Sequence, residues 1–220
     1  MSKLATLQPL PGVPAQVADH LTELIIRGEL APGERIPEAR ITAALGVSRG
    51  SVRAALQILE RRYLVELPPR RGAFVSRLTG KNTRDLYSVL KALFVALGAA
   101  AAQAWESEDD LAGLRQLGPD LQSLSQTDDE LALVNFTHKL TDVACDLAGN
   151  DYLTRIMQDL RPLFSRSFYR ALAADRAEPE LARKLLAELI NGVERRDARA
   201  VEQLLQQYGD RLQAIVLSTF

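Results

Sequence analysis

Two pairs of arginines have the type and spacing to act on a partner. Arg49, Arg53 and Gln57 recur at i, i+4 and i+8, which puts them on one face of a helix. Gly50 and Ser51 between them are small, so that such a helix can approach the floor of a DNA major groove closely. A guanidinium can bind guanine with two parallel N–H donors, or it can bind phosphate. Arg70 and Arg71 form the second pair, inside Pro68-Pro69-Arg70-Arg71-Gly72. Proline stiffens such a tip and glycine permits the reversal. Arginines projecting from it would meet phosphate or the negative potential of a narrow minor groove. The alternative is a charged turn that serves solubility.

Catalysis finds less support. Cys145 is the one cysteine, and His138 lies seven residues before it. Two helical turns separate them by roughly 10 Å, too far to touch. There is no glycine-rich phosphate loop and no paired catalytic carboxylates, so the expectation is a protein that is not an enzyme. A single cysteine allows no intrachain disulfide, which suits a reducing cytoplasm. His20, beside Asp19, reads as a surface residue. No uninterrupted apolar run approaches the ~18 residues of a membrane span, and Met1-Ser2-Lys3-Leu4 does not open a signal peptide.

The arginines need a frame. Gly46 and Val47 make a tight turn, and Ser48 is a good N-cap for the helix expected over 48–62. Val52, Leu56 and Leu59 give that helix a buried stripe. A short helix over 37–45 precedes it, with Ile41 and Leu45 inward. Helix, glycine turn and basic helix make a helix-turn-helix. Arg40 on the first helix either reaches phosphate or is simply solvated. Upstream, Val13–Gly28 reads as an amphipathic helix with Val17, Leu21, Leu24 and Ile25 inward. Residues 1–12 read as a flexible lead. Downstream, 64–67 and 73–75 read as two short strands around the basic tip, a wing.

Charge divides the chain in the same way. Residues 1–78 carry 11 Lys and Arg against 7 Asp and Glu, a net of +4, and residues 79–220 carry 16 against 21, a net of −5. A basic head on an acidic body fits a nucleic-acid reader. The polar stretch 77–84 is the expected boundary. Beyond it only helical periodicity appears: a stripe of Leu86, Leu90, Leu93 and Leu97, a weaker helix over 109–126 interrupted at Gly118-Pro119, and helices over 129–148, 150–173, 178–195 and 197–217. Pro162 should kink the 150–173 helix. The fold class expected is mainly α, an N-terminal winged helix-turn-helix (1–78) followed by an all-α antiparallel helical bundle (79–220).

In the 129–148 helix, Asn135, Lys139, Asp142 and Asp146 form a narrow solvent arc opposite Leu133, Phe136, Leu140, Val143 and Leu147. Thr137 and Thr141 fall inside the apolar arc. Either each bonds its own i−4 carbonyl or the two line a cavity. His138 and Asp142, four apart at the edge of the solvent arc, read as a surface ion pair rather than an ion site. Tyr208 lies on the inward stripe Val201, Leu205, Tyr208, Leu212 and Ile215, and its hydroxyl wants a partner. Arg161 and Arg166 are candidates for polar contact or for exposed salt bridges.

The run from Leu30 to Val75 resembles the winged helix of GntR-family transcription regulators. The matching pieces are Leu30-Ala31-Pro32-Gly33-Glu34-Arg35-Ile36, the run Leu45 to Gln57 followed by Leu59-Glu60, and Arg70-Arg71-Gly72-Ala73-Phe74-Val75. A winged helix followed by a helical bundle resembles the FadR-like (FCD) branch of that family. The resemblance implies a sequence-specific, DNA-binding transcription regulator that acts as a homodimer on a palindromic operator. Its affinity for double-stranded DNA would be modulated by a small-molecule effector in the bundle. DNA contacts would come from Arg40, Ser48, Arg49, Gly50, Ser51, Arg53, Arg70, Arg71 and Gly72. Relatives bind a divalent metal through positions that fall here on Thr137, Thr141 and near Leu186 and Tyr208. None of the four has a matching ligand type, so no metal and no cofactor is expected. Relatives place an arginine and a glutamate on the first bundle helix where this chain has Leu90 and Phe94, beside Lys91. The expected effector pocket is Leu90, Phe94, Thr137, Thr141, Arg161, Arg166, Leu186 and Tyr208, and the effector is more apolar than a metal-held carboxylate, or absent. The competing reading is a helical protein-interaction module with no DNA reading of its own.

Overall fold

The structure, a computed structural model, describes residues 12–124 and 129–220. The expected lead over 1–12 lies, apart from Gly12, outside the described residues, as do positions 125–126 of the expected 109–126 helix. The chain divides into two compact units, 1–77 and 78–220.

In the first unit the order is α1 (Val13–Ile26), β1 (Arg35–Ile36), α2 (Glu38–Leu45), α3 (Arg49–Arg61), β2 (Val65–Glu66) and β3 (Ala73–Val75). Val17, Leu21 and Ile25 of α1 pack with Val52, Leu56 and Leu59 of α3 and with Leu64, Val65 and Val75 in one core. Each such side chain contributes about 1.5–3 kcal/mol relative to an exposed one. The connection from α2 to α3 turns at Gly46, whose φ of 64° is the left-handed conformation that ends helices. Leu45, expected inward, is 38% exposed, because α2 ends at that residue and turns its last side chain out; Ile41 alone of α2 is buried. The sheet is antiparallel with order β1-β3-β2, pairing Val65 with Val75 and Arg35 with Phe74. Strand β1 was not expected, because two residues carry no period.

The second unit holds α4 (Gly80–Ala104), a 3₁₀ turn (Glu108–Leu111), α5 (Ala112–Ser123), α6 (Glu130–Ala148), α7 (Asp151–Ala174), α8 (Glu178–Glu194) and α9 (Ala198–Leu217). Helix α4 begins inside the stretch expected as a boundary. Thr79 Oγ1 accepts from the Asn82 amide at 3.2 Å and Asn82 Oδ1 accepts from the Thr79 amide at 2.5 Å, a reciprocal cap. Helix α5 runs on through Gly118-Pro119 instead of breaking there. Leu114, Leu117 and Leu121 bury one face across the proline, which outweighs the hydrogen bond it forgoes. Helix α7 likewise continues through Pro162.

Among the described helices α4 alone is long and apolar enough to cross a membrane, with a mean hydropathy of 1.5 over its 18-residue window. Counting uninterrupted apolar runs overlooks it, because Lys91 breaks the run. In this unit α4 packs against α6, α7, α8 and, most extensively, α9. A Cβ at Gly98 would stand 2.5 Å from Leu205 Cδ1 and 2.6 Å from Val201 Cγ1, so the glycine permits that close approach.

Candidate nucleic-acid interface and bundle cavity

Helix α3 starts where its cap dictates. Ser48 Oγ accepts from the Ser51 amide at 3.1 Å and lies 2.9 Å from Ser51 Oγ, so both hydroxyls hold the helix start. Arg49 follows as the first helical residue, exposed beside exposed Gly50. No ion pair or hydrogen bond engages its side chain among the described residues. Arg53, one turn on, differs. Its Nε donates to Glu38 Oε2 at 2.9 Å, which ties α3 to α2, while 69% of the side chain stays exposed. The pattern of apolar residues could not signal this tie, because Glu38 lies fifteen residues back and reads as an ordinary first-turn acid.

Arg40 is exposed on α2. Arg70 and Arg71 are exposed at the wing tip with Gly72, and Arg70 has a φ of 61°. Side chains seldom adopt that conformation, and the strain persists only where the surroundings hold it. The arginines 40, 49, 70 and 71 thus have no acidic partner among the described residues, and Arg53 has one.

The bundle holds a partly open cavity of about 110 Å³ between α4, α5, α6, α7, α8 and α9. Leu90, Phe94, Thr137, Thr141, Leu186 and Tyr208, all expected at a pocket, line it. The two threonine readings merge. Thr137 Oγ1 donates to the Val134 carbonyl and Thr141 Oγ1 to the Thr137 carbonyl, both at 2.7 Å, while the same side chains form part of the wall. The positions where relatives hold a metal therefore present two committed hydroxyls, a leucine and a tyrosine. That donor set does not fit a divalent ion. Among the described residues no three of His, Cys, Asp and Glu gather elsewhere either.

Two arginines expected at the pocket lie off its wall, and one of them forms the salt bridge that was the alternative. Arg166 is buried (4% exposed) but is not part of the cavity wall, and burial, then the charge of Arg170, pulls its pKa down to about 10. Arg161 borders a small separate void and pairs with Asp142 through both guanidinium nitrogens. That pair replaces the expected contact between His138 and Asp142. His138 instead turns inward, with Nε2 2.6 Å from Ser165 Oγ. Ser165 Oγ also lies 2.7 Å from the Arg161 carbonyl oxygen, so the hydroxyl links His138 to the backbone of α7. Burial, then the nearby Arg161 charge, lowers the His138 pKa to about 4.

Several groups at the cavity escaped the sequence reading. Tyr87 is buried on α4 with its hydroxyl 2.9 Å from Ser167 Oγ, and burial pushes its pKa up to about 12. Glu178 is fully buried at the start of α8, where Oε2 accepts from Arg211 Nε at 2.7 Å. Its position at a helix N-terminus suits a carboxylate, and that was the only local signal. The Tyr208 hydroxyl and Glu178 Oε1 are both buried without a well-formed hydrogen bond among the described residues. Burial, then the Glu178 charge, raises the Tyr208 phenol well above its ordinary range.

Residues 14–75 match the family described as bacterial regulatory proteins, gntR family, and residues 85–211 match the FCD domain. The chain belongs to the GntR family of bacterial regulatory proteins. Its two matched segments are a GntR DNA-binding head and an FCD body, the arrangement of transcription regulators. The chain is 26% identical over 212 residues to the HTH-type transcriptional repressor RspR of Escherichia coli (strain K12), covering 92% of this chain and 88% of that one. An alignment with the HTH-type transcriptional regulator YdhC of Bacillus subtilis, at 26% identity, covers 67% of this chain and spans 66% of that protein. Among solved structures, E. coli McbR/YncC shares the fold with a TM-score of 0.78 at 19% identity, over 96% of this chain and 99% of that one. The GntR head carries α2, α3 and the wing, and the FCD body carries the cavity.

Proposed function

We propose that this GntR-family regulator reads a palindromic operator as a homodimer, with one α3 helix per half-site in successive major grooves. The observation that carries the proposal is Arg49: it stands exposed beside Gly50 at the capped start of α3, with no ion pair or hydrogen bond to its side chain among the described residues. Arg49 is the base reader. Arg53, held by Glu38, reads or contacts phosphate from a fixed position. Arg40 and the wing residues Arg70, Arg71 and Gly72 flank the groove and track the backbone. Ser48 and Ser51 serve the interface by fixing where the helix begins. Residues 1–78 are the DNA-binding domain and residues 79–220 the effector-binding and dimerisation domain. An effector held at Leu90, Phe94, Thr137, Thr141, Leu186 and Tyr208 changes the affinity of the heads for DNA. Cytoplasmic placement follows from an operator as target.

Selection from random duplex DNA with the purified chain tests this reading. Enrichment of a palindrome is the expected result. No enrichment at low salt overturns it and leaves a helical interaction module, since phosphate contacts strengthen as salt falls.

A further inference from the structure

The chemistry of the cavity wall specifies its occupant more closely than the family does. Four aromatic rings run along that wall. Phe94 lies 4.9 Å from Phe164, Phe164 stacks on Phe168 at 5.4 Å, and Phe168 meets Tyr208 edge-on at 6.5 Å between ring centroids. All four line the cavity together with a fifth ring, Tyr87, and most of the remaining wall is aliphatic. The polar atoms near it are turned elsewhere. The threonine hydroxyls serve carbonyls of their own helix, and Tyr87 serves Ser167. The Tyr208 hydroxyl is buried away from solvent, beside the Glu178 charge. Among the described residues Lys91 is the one cation on the wall, and its ammonium is bound to Asp210 Oδ1 at 2.5 Å and reaches Gln213 Oε1 at 3.5 Å.

Such a wall has little to offer a charge. A carboxylate placed there would lose its water and meet, among the described wall residues, one uncommitted donor, the Tyr208 hydroxyl, which stands beside the like-charged Glu178; that disfavours it strongly. An apolar ring would instead extend the series of edge and face contacts already present. The size is of the same order: an apolar cavity of about 150 Å³ holds benzene in another protein, and this one, partly open, measures about 110 Å³. We infer that the bundle cavity takes a compact, uncharged, apolar molecule of about one aromatic ring. This rests on the reading of the body as an effector domain and narrows it to a ligand class, against the metal-held carboxylate of relatives.

The test is calorimetric titration of the full-length chain with toluene and with benzoate, two ligands of one shape that differ in charge. Saturable toluene binding is expected, with benzoate at least about 100-fold weaker. Ala144→Leu and Leu205→Phe, two wall substitutions that fill space, should each weaken toluene at least about 10-fold. Circular dichroism would show which variants fold, and either one suffices. Absence of toluene binding to the wild-type chain overturns the proposal. So does benzoate binding as tight as toluene, most directly if Lys91→Met abolishes it. Operator binding by the same preparation without any ligand is measured in parallel. If operator binding holds while toluene fails, the ligand class is wrong and the regulator stands; the opposite pair of results spares the cavity and removes the DNA reading.

Discussion

The head and the bundle treat their polar groups in opposite ways. On the head, Arg40, Arg49, Arg70 and Arg71 stand exposed with no acidic partner among the described residues. Around the bundle cavity, Thr137, Thr141, Tyr87, His138 and Lys91 are each committed to an atom of the same unit. Uncommitted charge on a surface offers its interaction energy to something outside, here a polyanion. Committed polar groups around a void leave hydrocarbon facing inward, so that the void favours what water rejects. Arg53 shows that the contrast is one of degree, since it is exposed and also tied to Glu38.

The strongest way to break the comparison is to remove the hydrocarbon wall. Phe168 is 1% exposed and stacks on Phe164, so Phe168→Ala should destabilise the bundle by about 3–5 kcal/mol, read by denaturant unfolding. A loss near zero would mean that the wall is not packed as described.

Acid should act on the bundle through His138, whose pKa is about 4 in the folded chain against an ordinary value of 6.5. Between those values the unfolded chain binds the proton and the folded chain resists it, so stability falls as pH drops from about 6.5 to 4 and levels off below. Allowing for the partial solvent access of the ring, the loss is about 2 kcal/mol. His138→Gln should flatten that part of the pH profile. An unchanged slope would place the titrating group elsewhere.

The same order of energy should appear on the head as affinity. Arg49→Ala should cost about 1–3 kcal/mol of operator binding and relax preference at one base position. Equal losses on every sequence would make Arg49 a phosphate contact. Arg53→Ala provides the internal comparison: it should also lower the thermal stability of the head, through the lost Glu38 tie, whereas Arg49→Ala should not.

Smaller effects sharpen the contrast. Ser48→Ala should lower the stability of the head by about 1 kcal/mol, since it frees the Ser51 amide. Tyr208→Phe should cost less than about 0.5 kcal/mol, or stabilise, because its hydroxyl is buried without a well-formed bond. Tyr87→Phe, which orphans Ser167 Oγ, should cost more, about 1 kcal/mol. Equal effects in the two tyrosine variants would show that Tyr208 is bonded after all.

Much of this architecture was legible in the chain. The stripe Val52, Leu56 and Leu59 is buried as its spacing implied, and three of the four helices after 129 begin at Asp129, Asn150 and Asp197, each a capping side chain that accepts from the following turn. The glycine turn at Gly46 and the wing between β2 and β3 follow from local backbone preferences. Three differences have separate physical causes. β1 is too short to show a period, Pro119 was read as a breaker where buried leucines override it, and α4 starts early because of a cap hidden in a polar stretch.

Pairing between distant residues was not legible. His138 finds Ser165 27 residues away, Arg161 reaches back to Asp142 over 19, and Arg211 reaches Glu178 over 33. Periodicity tells which face of a helix is buried, but the partner on that face is set by how helices from remote segments stack. The cavity has the same origin. Its wall is drawn from six helices, and the lack of any unpaired charge among the described wall residues is a property of their packing. Most element boundaries and the surface arginines rest on interactions within a few residues, so composition and spacing go far toward them, short of a two-residue strand or a proline held in place by buried leucines. The commitments of the bundle's polar groups, and hence the apolar character of its interior, arise only once the chain has closed on itself.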